Sequence, residues 1–146
     1  MASNVYHGAL VALARAKHGA QRLAKPQSSV RIDNPLCGDE VTLDLCCDGD
    51  IVREIGHRVR GCLLCEAAAS WVSLHSVGRP RSEAQEALRA ARAMLASGEL
   101  GSSRWPDLEL FLPVHAAKSR HRCVLLPLEA LTSAAEQLEQ GETHAD

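Results

Sequence analysis

Apolar and polar residues alternate most strictly over residues 41–47, and this alternation predicts a half-buried β-strand. A turn signal at residues 48–50 follows, after which apolar and polar positions alternate again as far as residue 60. We therefore expect a β-hairpin over residues 41–60. The residues on its first apolar face are Val41, Leu43, Leu45 and Cys47. Cys47 is thus predicted to lie in the core, and Cys46, on the opposite face, is expected to be an exposed and inert thiol.

The rest of the chain is mainly helical in pattern. Residues 6–22 and 62–77 have helical spacing, and residues 30–34 fit a short strand. Ser82 begins a sequence of capping-box form and opens a helix that Gly98 closes. The remaining expectations are a short helical turn at 107–112 and a last helix from Pro127 to about residue 140.

This order of elements predicts an α+β domain, with a small antiparallel three-stranded sheet and helices packed on one face. We expect one domain over residues 1–146. Its parts are an N-terminal helix and linker at 1–28, the sheet at 29–60, the helices at 61–140 and a frayed tail at 141–146.

Composition and charge favour a single globular domain and argue against a membrane protein or a general nucleic-acid-binding protein. The chain has 146 residues, 46% of them apolar and 23% charged, which suits one domain with its own core. A net charge of −2 gives no global reason to bind nucleic acid or an anionic membrane, and no apolar stretch is long enough for a membrane span. The first arginine, Arg15, follows the N-terminal apolar run, the reverse of a signal peptide. We expect a cytoplasmic protein with reduced thiols, so its six cysteines suggest metal or sulfur chemistry before disulfides.

Three separate points in the chain carry the candidate chemistry, and each lies at the end of a predicted element. Cys37 and Asp39 precede the first hairpin strand, Cys62 lies where a strand gives way to a helix, and Cys123 follows a basic segment. Together they would supply three thiolates and one carboxylate, a set that suits Zn²⁺ or, through the thiolates, an iron–sulfur cluster. The intervals of 25 and 61 residues between the cysteines do not form a local metal motif. A single carboxylate among thiolates indicates a site that can open.

Cys62 and Cys65 form a CxxC pair, which can bind metal or cycle as a redox pair. Two intervening leucines and the lack of a thioredoxin-like βαβ order disfavour redox catalysis. Cys65 is either a fifth thiol near the site or a buried small hydrophobic residue, and burial is favoured. Of the histidines, His57 is expected to be a hydrogen-bonded, half-buried residue. His121 is by default a surface residue, though close enough to Cys123 to replace a ligand.

Three segments of the sequence resemble the IscU/NifU-like family of iron–sulfur cluster assembly proteins: NPLCGD at 34–39, GCLLCEAAAS at 61–70 and RHRCVLLPLEAL at 120–131. The resemblance runs from about residue 30 to residue 131 and implies an α+β sandwich. Within the family it is closest to the SufU-type branch. One reason is the long interval between Cys62 and Cys123. Another is Arg122, which stands where IscU-type proteins carry histidine; Arg120 also matches a SufU-type pattern.

The resemblance implies that Cys37, Asp39, Cys62 and Cys123 form the ligand set. In SufU-type members such a set binds zinc at rest, and Cys123 would accept persulfide sulfur from a pyridoxal-phosphate-dependent cysteine desulfurase, with Arg120 as a possible stabiliser of its thiolate. In IscU-type members the same positions bind iron and assemble a [2Fe–2S] cluster. Downstream partners would be iron–sulfur apoproteins or carriers, and the chain would be a sulfurtransferase-like accessory protein rather than a stand-alone enzyme.

Two further points bear on this resemblance. The N-terminal region lacks the His-x-x-Asn-Pro-Arg-Asn segment with which relatives engage the desulfurase. Besides the sulfur acceptor and the cluster scaffold, a third interpretation is a structural zinc or thiol-rich domain without transfer chemistry.

Overall fold

The computed structural model describes the backbone of residues 2–36 and 38–145, and the side chains of residues 8–36 and 38–140. Its helices and strands are α1 (Ala2–Ala16), β1 (Ser28–Asn34), β2 (Asp39–Asp48), β3 (Ile51–Arg60), α2 (Leu63–Ser76), α3 (Glu83–Ser97) and α4 (His121–Ala145). Two 3₁₀ helices, Leu108–Ala116 and Lys118–Arg120, lie between α3 and α4. None of the helices in the described part of the chain has both the length and the apolar character needed to cross a bilayer.

The three strands form one antiparallel sheet in the order β1-β2-β3, which confirms the predicted fold class. β2 and β3 are the predicted hairpin, with a register shift between Cys46 and Cys47. The apolar face of β2 is buried as predicted, and α2 and α4 contribute the helical side of the same core. Trp71 of α2 lies near the centre of that side, with its ring 5.8 Å from that of Phe111 and 5.5 Å from that of Trp105.

The second face of the sheet is not simply exposed, because residues 17–27 cross it. The backbone N–H of His57 donates to the carbonyl of Gly19 (2.8 Å), so this segment is hydrogen-bonded to β3. Cys46 is only 4% exposed and its thiol contacts the carbonyl of Lys25 (3.5 Å). The prediction that Cys46 is exposed was therefore wrong, because strand alternation does not reveal a non-helical segment that covers the polar face.

The N-terminal helix is shorter at its C-terminal end than the expected range of 6–22. It ends at Ala16, and Lys17 and Gly19 follow in the left-handed region with φ of 51° and 71°. At Gly19 a Cβ would lie 2.6 Å from the Cβ of Ser73, so glycine also permits close approach to α2. The helix ends here because the next residues are hydrogen-bonded to β3. Helical spacing along the sequence does not reveal this contact.

Three other expected boundaries also differ. Ser82 has helical backbone angles and makes no side-chain cap hydrogen bond, so the predicted capping box is wrong. The turn expected at 107–112 is a 3₁₀ helix that continues through Pro113 to Ala116. The last helix begins at His121, six residues before Pro127, and continues to Ala145 through the expected frayed tail. Tertiary packing favours the earlier beginning of this helix, since its apolar face contacts β1, β2, α2 and α3.

Asp44 links the crossing segment to the sheet. Its fully buried carboxylate accepts hydrogen bonds from the Nε of Arg22 (2.6 Å), the backbone N–H of Leu23 (3.0 Å) and the hydroxyl of Ser29 (2.7 Å). Burial alone would raise the pKa of Asp44, but these hydrogen bonds outweigh it and leave the pKa below its ordinary value of 3.8.

We predict that Asp44→Ala lowers the free energy of unfolding by about 2 kcal/mol, because it leaves buried donors without their acceptor. Urea unfolding followed by circular dichroism measures the change. Because the pKa of Asp44 is lowered on folding, its contribution is complete above pH 3.8 and is lost as the pH falls through the folded pKa, so the two proteins converge in acid. Asp33→Ala, which removes an exposed ion pair on β1, is the control and should change stability by less than about 0.5 kcal/mol. An equal loss in both variants would contradict the special role of Asp44.

Candidate metal centre

Asp39, Cys62 and Cys123 meet at one end of the sheet. Asp39 is the first residue of β2, Cys62 is the N-cap of α2, and Cys123 is the third residue of α4. One ligand atom from each residue lies within 4.8 Å of the other two. Over the residues that the structure describes, no other group of three or more His, Cys, Asp or Glu side chains meets this condition. The structure thus brings together three of the four side chains that the sequence singled out.

The hairpin between β1 and β2 positions the carboxylate. Asn34 and Asp39 pair across the two strands, and the backbone N–H of Gly38 closes the connection by donating to the carbonyl of Asn34 (2.8 Å). Gly38 has φ of 80°, a left-handed conformation that glycine adopts without strain. The Asn34 side chain is buried and accepts a hydrogen bond from the N–H of Leu36 (3.2 Å). Sequence reasoning missed this role of Asn34, although an Asn-Pro pair is a turn signal.

Asp39 in turn holds the beginning of α2. Its Oδ1 accepts a hydrogen bond from the backbone N–H of Cys62 (3.0 Å), and its Oδ2 accepts one from the Cys62 thiol (3.4 Å). Asp39 is only 3% exposed, so these contacts offset the cost of burying a carboxylate. One side chain therefore both fixes the helix N-terminus and faces a candidate ligand.

Gly61 makes this contact possible. A Cβ at position 61 would collide with the Asp39 carboxylate and would lie 2.7 Å from its Cγ. The group that approaches residue 61 so closely is the carboxylate of Asp39.

The Cys123 thiol is completely buried at the centre of the group. Burial raises the pKa of Cys123 well above the ordinary value for a thiol, and its contacts with Asp39 and Cys62 act in the same direction. Three donors that disfavour one another's negative charge need a cation if all are to be anionic. Two sulfurs and a carboxylate oxygen suit Zn²⁺, a borderline-soft ion that takes four ligands in tetrahedral sites.

Cys37, the fourth member of the predicted set, lies outside the described residues. Its chain neighbours Leu36 and Gly38 belong to the connection between β1 and β2, and Leu36 is 95% exposed.

Arg120 and Arg122 flank Cys123 in the sequence but lie on the surface. Arg120 ends the second 3₁₀ helix and is exposed, whereas Arg122 donates from its Nε to Glu129 (3.3 Å). Burial, Asp39 and Cys62 account for the direction of the Cys123 pKa shift. A role for Arg120 as a thiolate stabiliser therefore stays a prediction.

His121 is partly buried and ties the beginning of α4 to the preceding 3₁₀ helix. Its Nε2–H donates to the carbonyl of His115 (3.0 Å), and the two rings stack with centroids 6.4 Å apart. His115 in turn donates from Nδ1 to the carbonyl of Leu95 (2.6 Å), close against Gly98. This chain of contacts, which we call the histidine tie, connects the C-terminal end of α3 to the helix that carries Cys123. Sequence reasoning missed His115.

The other described cysteines and His57 are not part of the group of three donors. Cys65 is completely buried and belongs to the core, which agrees with the favoured interpretation, and Cys47 is buried as predicted. His57 is more deeply buried than expected and its Nδ1 lies 2.9 Å from the hydroxyl of Ser73. Burial lowers the pKa of His57 to about 4, so it is neutral at pH 7.

Comparison with known proteins gives one match among curated sequences. The zinc-dependent sulfurtransferase SufU of Bacillus subtilis (strain 168) is 28% identical over 113 residues, which are 77% of this chain and 77% of that protein. No family model matches the chain.

Solved structures match over nearly the whole chain. The N-terminal part of a nitrogen-fixing NifU-like protein from Brucella abortus has a TM-score of 0.85 and 27% identity, covering 90% of this chain and 92% of its own. FiSufU of Fervidobacterium islandicum AW-1, named as an iron–sulfur cluster assembly scaffold protein for the SUF system, has a TM-score of 0.81 and 24% identity, covering 87% and 93%. The second likeness is evidence of the fold alone.

We predict that Gly61→Ala weakens zinc binding by at least about tenfold, because the new methyl group displaces the Asp39 carboxylate. A tenfold change corresponds to about 1.4 kcal/mol, and the loss of one ligand contact costs more than that. Competition with a chromophoric chelator measures the affinity. Gly101→Ala is the matched control, since nothing lies within 4 Å of a Cβ at that position. Unchanged zinc affinity in Gly61→Ala would contradict the placement of Asp39 among the ligands.

We also predict that His121→Ala speeds alkylation of Cys123 by iodoacetamide about fivefold in the metal-free protein, because losing a hydrogen bond of about 1 kcal/mol favours local opening. Mass spectrometry of the tryptic peptide 123–146 measures the rate for this cysteine alone. Lys118→Ala, an exposed change in the neighbouring 3₁₀ helix, should leave the rate unchanged. Equal rates in both variants would show that the histidine tie does not hold Cys123 in place.

Proposed function

We propose that this chain, which belongs to the IscU/NifU/SufU type of iron–sulfur cluster assembly protein, binds zinc and accepts persulfide sulfur on Cys123. The observation that carries the proposal is the meeting of Asp39, Cys62 and Cys123, with their ligand atoms within 4.8 Å. The similar SufU is named a zinc-dependent sulfurtransferase, which supports this choice of ion and chemistry.

Cys37 completes the proposed ligand set. The three described donors supply three of the four ligands that tetrahedral zinc takes, and Cys37 is two residues from Asp39 along the chain. When bound, zinc would supply positive charge that keeps its thiol ligands deprotonated at neutral pH. Asp39 is the hardest of the four ligands and the least suited to a soft ion, so it favours exchange.

Sulfur transfer is a thiolate attack on a persulfide. The Sγ of Cys123 attacks the outer sulfur of a cysteine persulfide on the donor protein, the new S–S bond forms on Cys123, and the donor cysteine leaves as a thiolate. The donor that we propose is a pyridoxal-phosphate-dependent cysteine desulfurase. Arg120 is exposed three residues before Cys123 and is available to an acidic group on that partner. Iron–sulfur apoproteins or carriers would receive the sulfur afterwards.

Burial sets a condition on this attack. The Cys123 side chain is 0% exposed, so the donor persulfide reaches it only after the beginning of α4 moves. Pro127 favours such a movement, because it has no N–H to donate to the carbonyl of Cys123 four residues earlier. The irregular backbone at Ala117 (φ −113°, ψ 81°) marks the other end of the segment.

The second candidate function is a scaffold that assembles a [2Fe–2S] cluster on Cys37, Asp39, Cys62 and Cys123. The donor chemistry permits it, because thiolates hold such clusters, and FiSufU is named as a scaffold. Arg122, exposed and paired with Glu129, occupies the position next to Cys123 where a histidine would offer a further ligand. We therefore favour the sulfur acceptor.

We predict that the purified protein contains zinc and stimulates a cysteine desulfurase, and that Cys123→Ser reduces the stimulation to the rate of the desulfurase alone, because serine cannot carry sulfane sulfur. Alanine formation measures the desulfurase rate, and zinc, iron and labile sulfide are measured per chain. The control is Cys46→Ser, a buried cysteine in β2 whose hydroxyl replacement can still donate to the carbonyl of Lys25. Iron and labile sulfide in place of zinc after anaerobic purification would instead favour the scaffold. Stimulation that persists in Cys123→Ser would refute the acceptor role.

A further inference from the structure

The first turn of α2 carries two cysteines in unequal environments. Cys62 is the N-cap, with extended backbone angles (φ −78°, ψ 168°), no side-chain cap hydrogen bond and a partly exposed side chain. Cys65 is the third residue of the helix and is completely buried. Neither is in a disulfide. An accessible thiol thus precedes a protected one at the beginning of a helix.

The spacing of the pair is compatible with a disulfide. Residues three apart on a helix share a face, with Cβ atoms about 5–6 Å apart. Cys62 is the N-cap and is not locked into helical backbone angles, so a small change of its backbone can bring the two Cβ atoms toward the roughly 4 Å separation that a disulfide needs. The change stays small, because the N–H of Cys62 donates to Asp39 and its carbonyl accepts from the N–H of Glu66 (3.1 Å).

Cys62 also lies beside the sulfur acceptor of the proposed function. The sulfur atoms of Cys62 and Cys123 are within 4.8 Å of each other, so sulfane sulfur on Cys123 is within reach of Cys62 after a small movement. Cys65, in contrast, is not part of this group and its burial keeps it from meeting a large donor. The three cysteines therefore differ in what each can reach.

Resting on the proposed function, and against the sequence-based expectation for this CxxC pair, we propose that Cys65 is a resolving thiol that releases the accepted sulfur as sulfide by forming a disulfide with Cys62. In the first step the Cys62 thiolate attacks the outer sulfur on Cys123, which leaves as a thiolate, and Cys62 becomes the persulfide. In the second step the Cys65 thiol attacks the inner sulfur of that persulfide.

The second step balances within the chain. The Cys62–Cys65 bond forms, the bond to the outer sulfur breaks, and that sulfur leaves as HS⁻ with the proton of the Cys65 thiol. The two cysteine thiols are oxidised to a disulfide, and the sulfane sulfur is reduced to sulfide. A low-molecular-weight thiol or a protein dithiol then returns the pair to the reduced state. Cys65 is thus a catalytic residue for sulfide release, since it touches the reacting sulfur.

The test follows a single turnover. The reduced protein is mixed anaerobically with one equivalent of glutathione persulfide and desalted, and bound sulfane sulfur, free sulfide and cysteine oxidation are then measured. Cys62 and Cys65 share the tryptic peptide 61–81, because the bond before Pro80 resists trypsin, and their disulfide makes it two hydrogen atoms lighter. We expect this disulfide to appear in an amount equal to the sulfide released.

Variants of Cys65 test its role in sulfide release separately from the uptake of sulfur by Cys123. Cys65→Ser should take up sulfur as the wild type does but keep it as persulfide, with sulfide release reduced to that of a protein-free blank. Cys65→Ala, which suits an apolar surrounding better, should behave identically. Cys46→Ser removes a different buried thiol and should release sulfide normally.

Three results would overturn the proposal. In one, the wild type takes up sulfur and releases sulfide while the peptide 61–81 stays fully reduced. In another, Cys65→Ser and Cys65→Ala both release sulfide at the wild-type rate. Both results refute the role of Cys65 and leave sulfur acceptance intact. A wild type that takes up no sulfur at all refutes the proposed function together with this inference.

Discussion

The contact between the Asp39 carboxylate and the beginning of α2 is the constraint on which the rest of the site depends. It joins the first residue of β2 to the N-cap of α2 through the hydrogen bond from Cys62, and it fits only because residue 61 has no Cβ. A buried carboxylate needs such partners, since burial without them would cost several kcal/mol. This contact fixes the distance between β2 and α2, and Cys123 of α4 lies beside them as the third member of the group.

Much of this arrangement could be predicted from the sequence, because it follows from local signals. Strand alternation located β2 and its buried face, and the three cysteines and Asp39 were singled out by their places at element ends. What could not be predicted depends on segments that meet only in the folded chain. Cys46 is buried by residues 17–27, and Ser82 is not a capping residue because its backbone is already helical and the N–H of Ala84 donates instead to the carbonyl of Arg81. Pro127 lies inside a helix because packing on the sheet outweighs the lost hydrogen bond.

Deep burial of the proposed acceptor thiol is understandable if protection matters as much as reactivity. An exposed thiolate is open to oxidation, whereas Cys123 is enclosed by core residues and by the other two donors. Irregular backbone at Ala117 precedes the segment that carries Cys123, and Pro127 follows Cys123 within α4. The histidine tie connects this segment to α3 with hydrogen bonds to backbone carbonyls.

An aspartate at position 39 can both hold the beginning of α2 and attract a cation, which a fourth cysteine could not do at the same time. Its two oxygens point to different partners, one to the backbone N–H of Cys62 and the other to the Cys62 thiol. A cysteine there would offer a single weakly accepting sulfur, and it would have to choose between holding the helix and holding a metal. An asparagine would keep the acceptor for the N–H but lose the negative charge that attracts a cation. The carboxylate can therefore stay bound to the N–H of Cys62 through one oxygen and still offer the other oxygen to a cation.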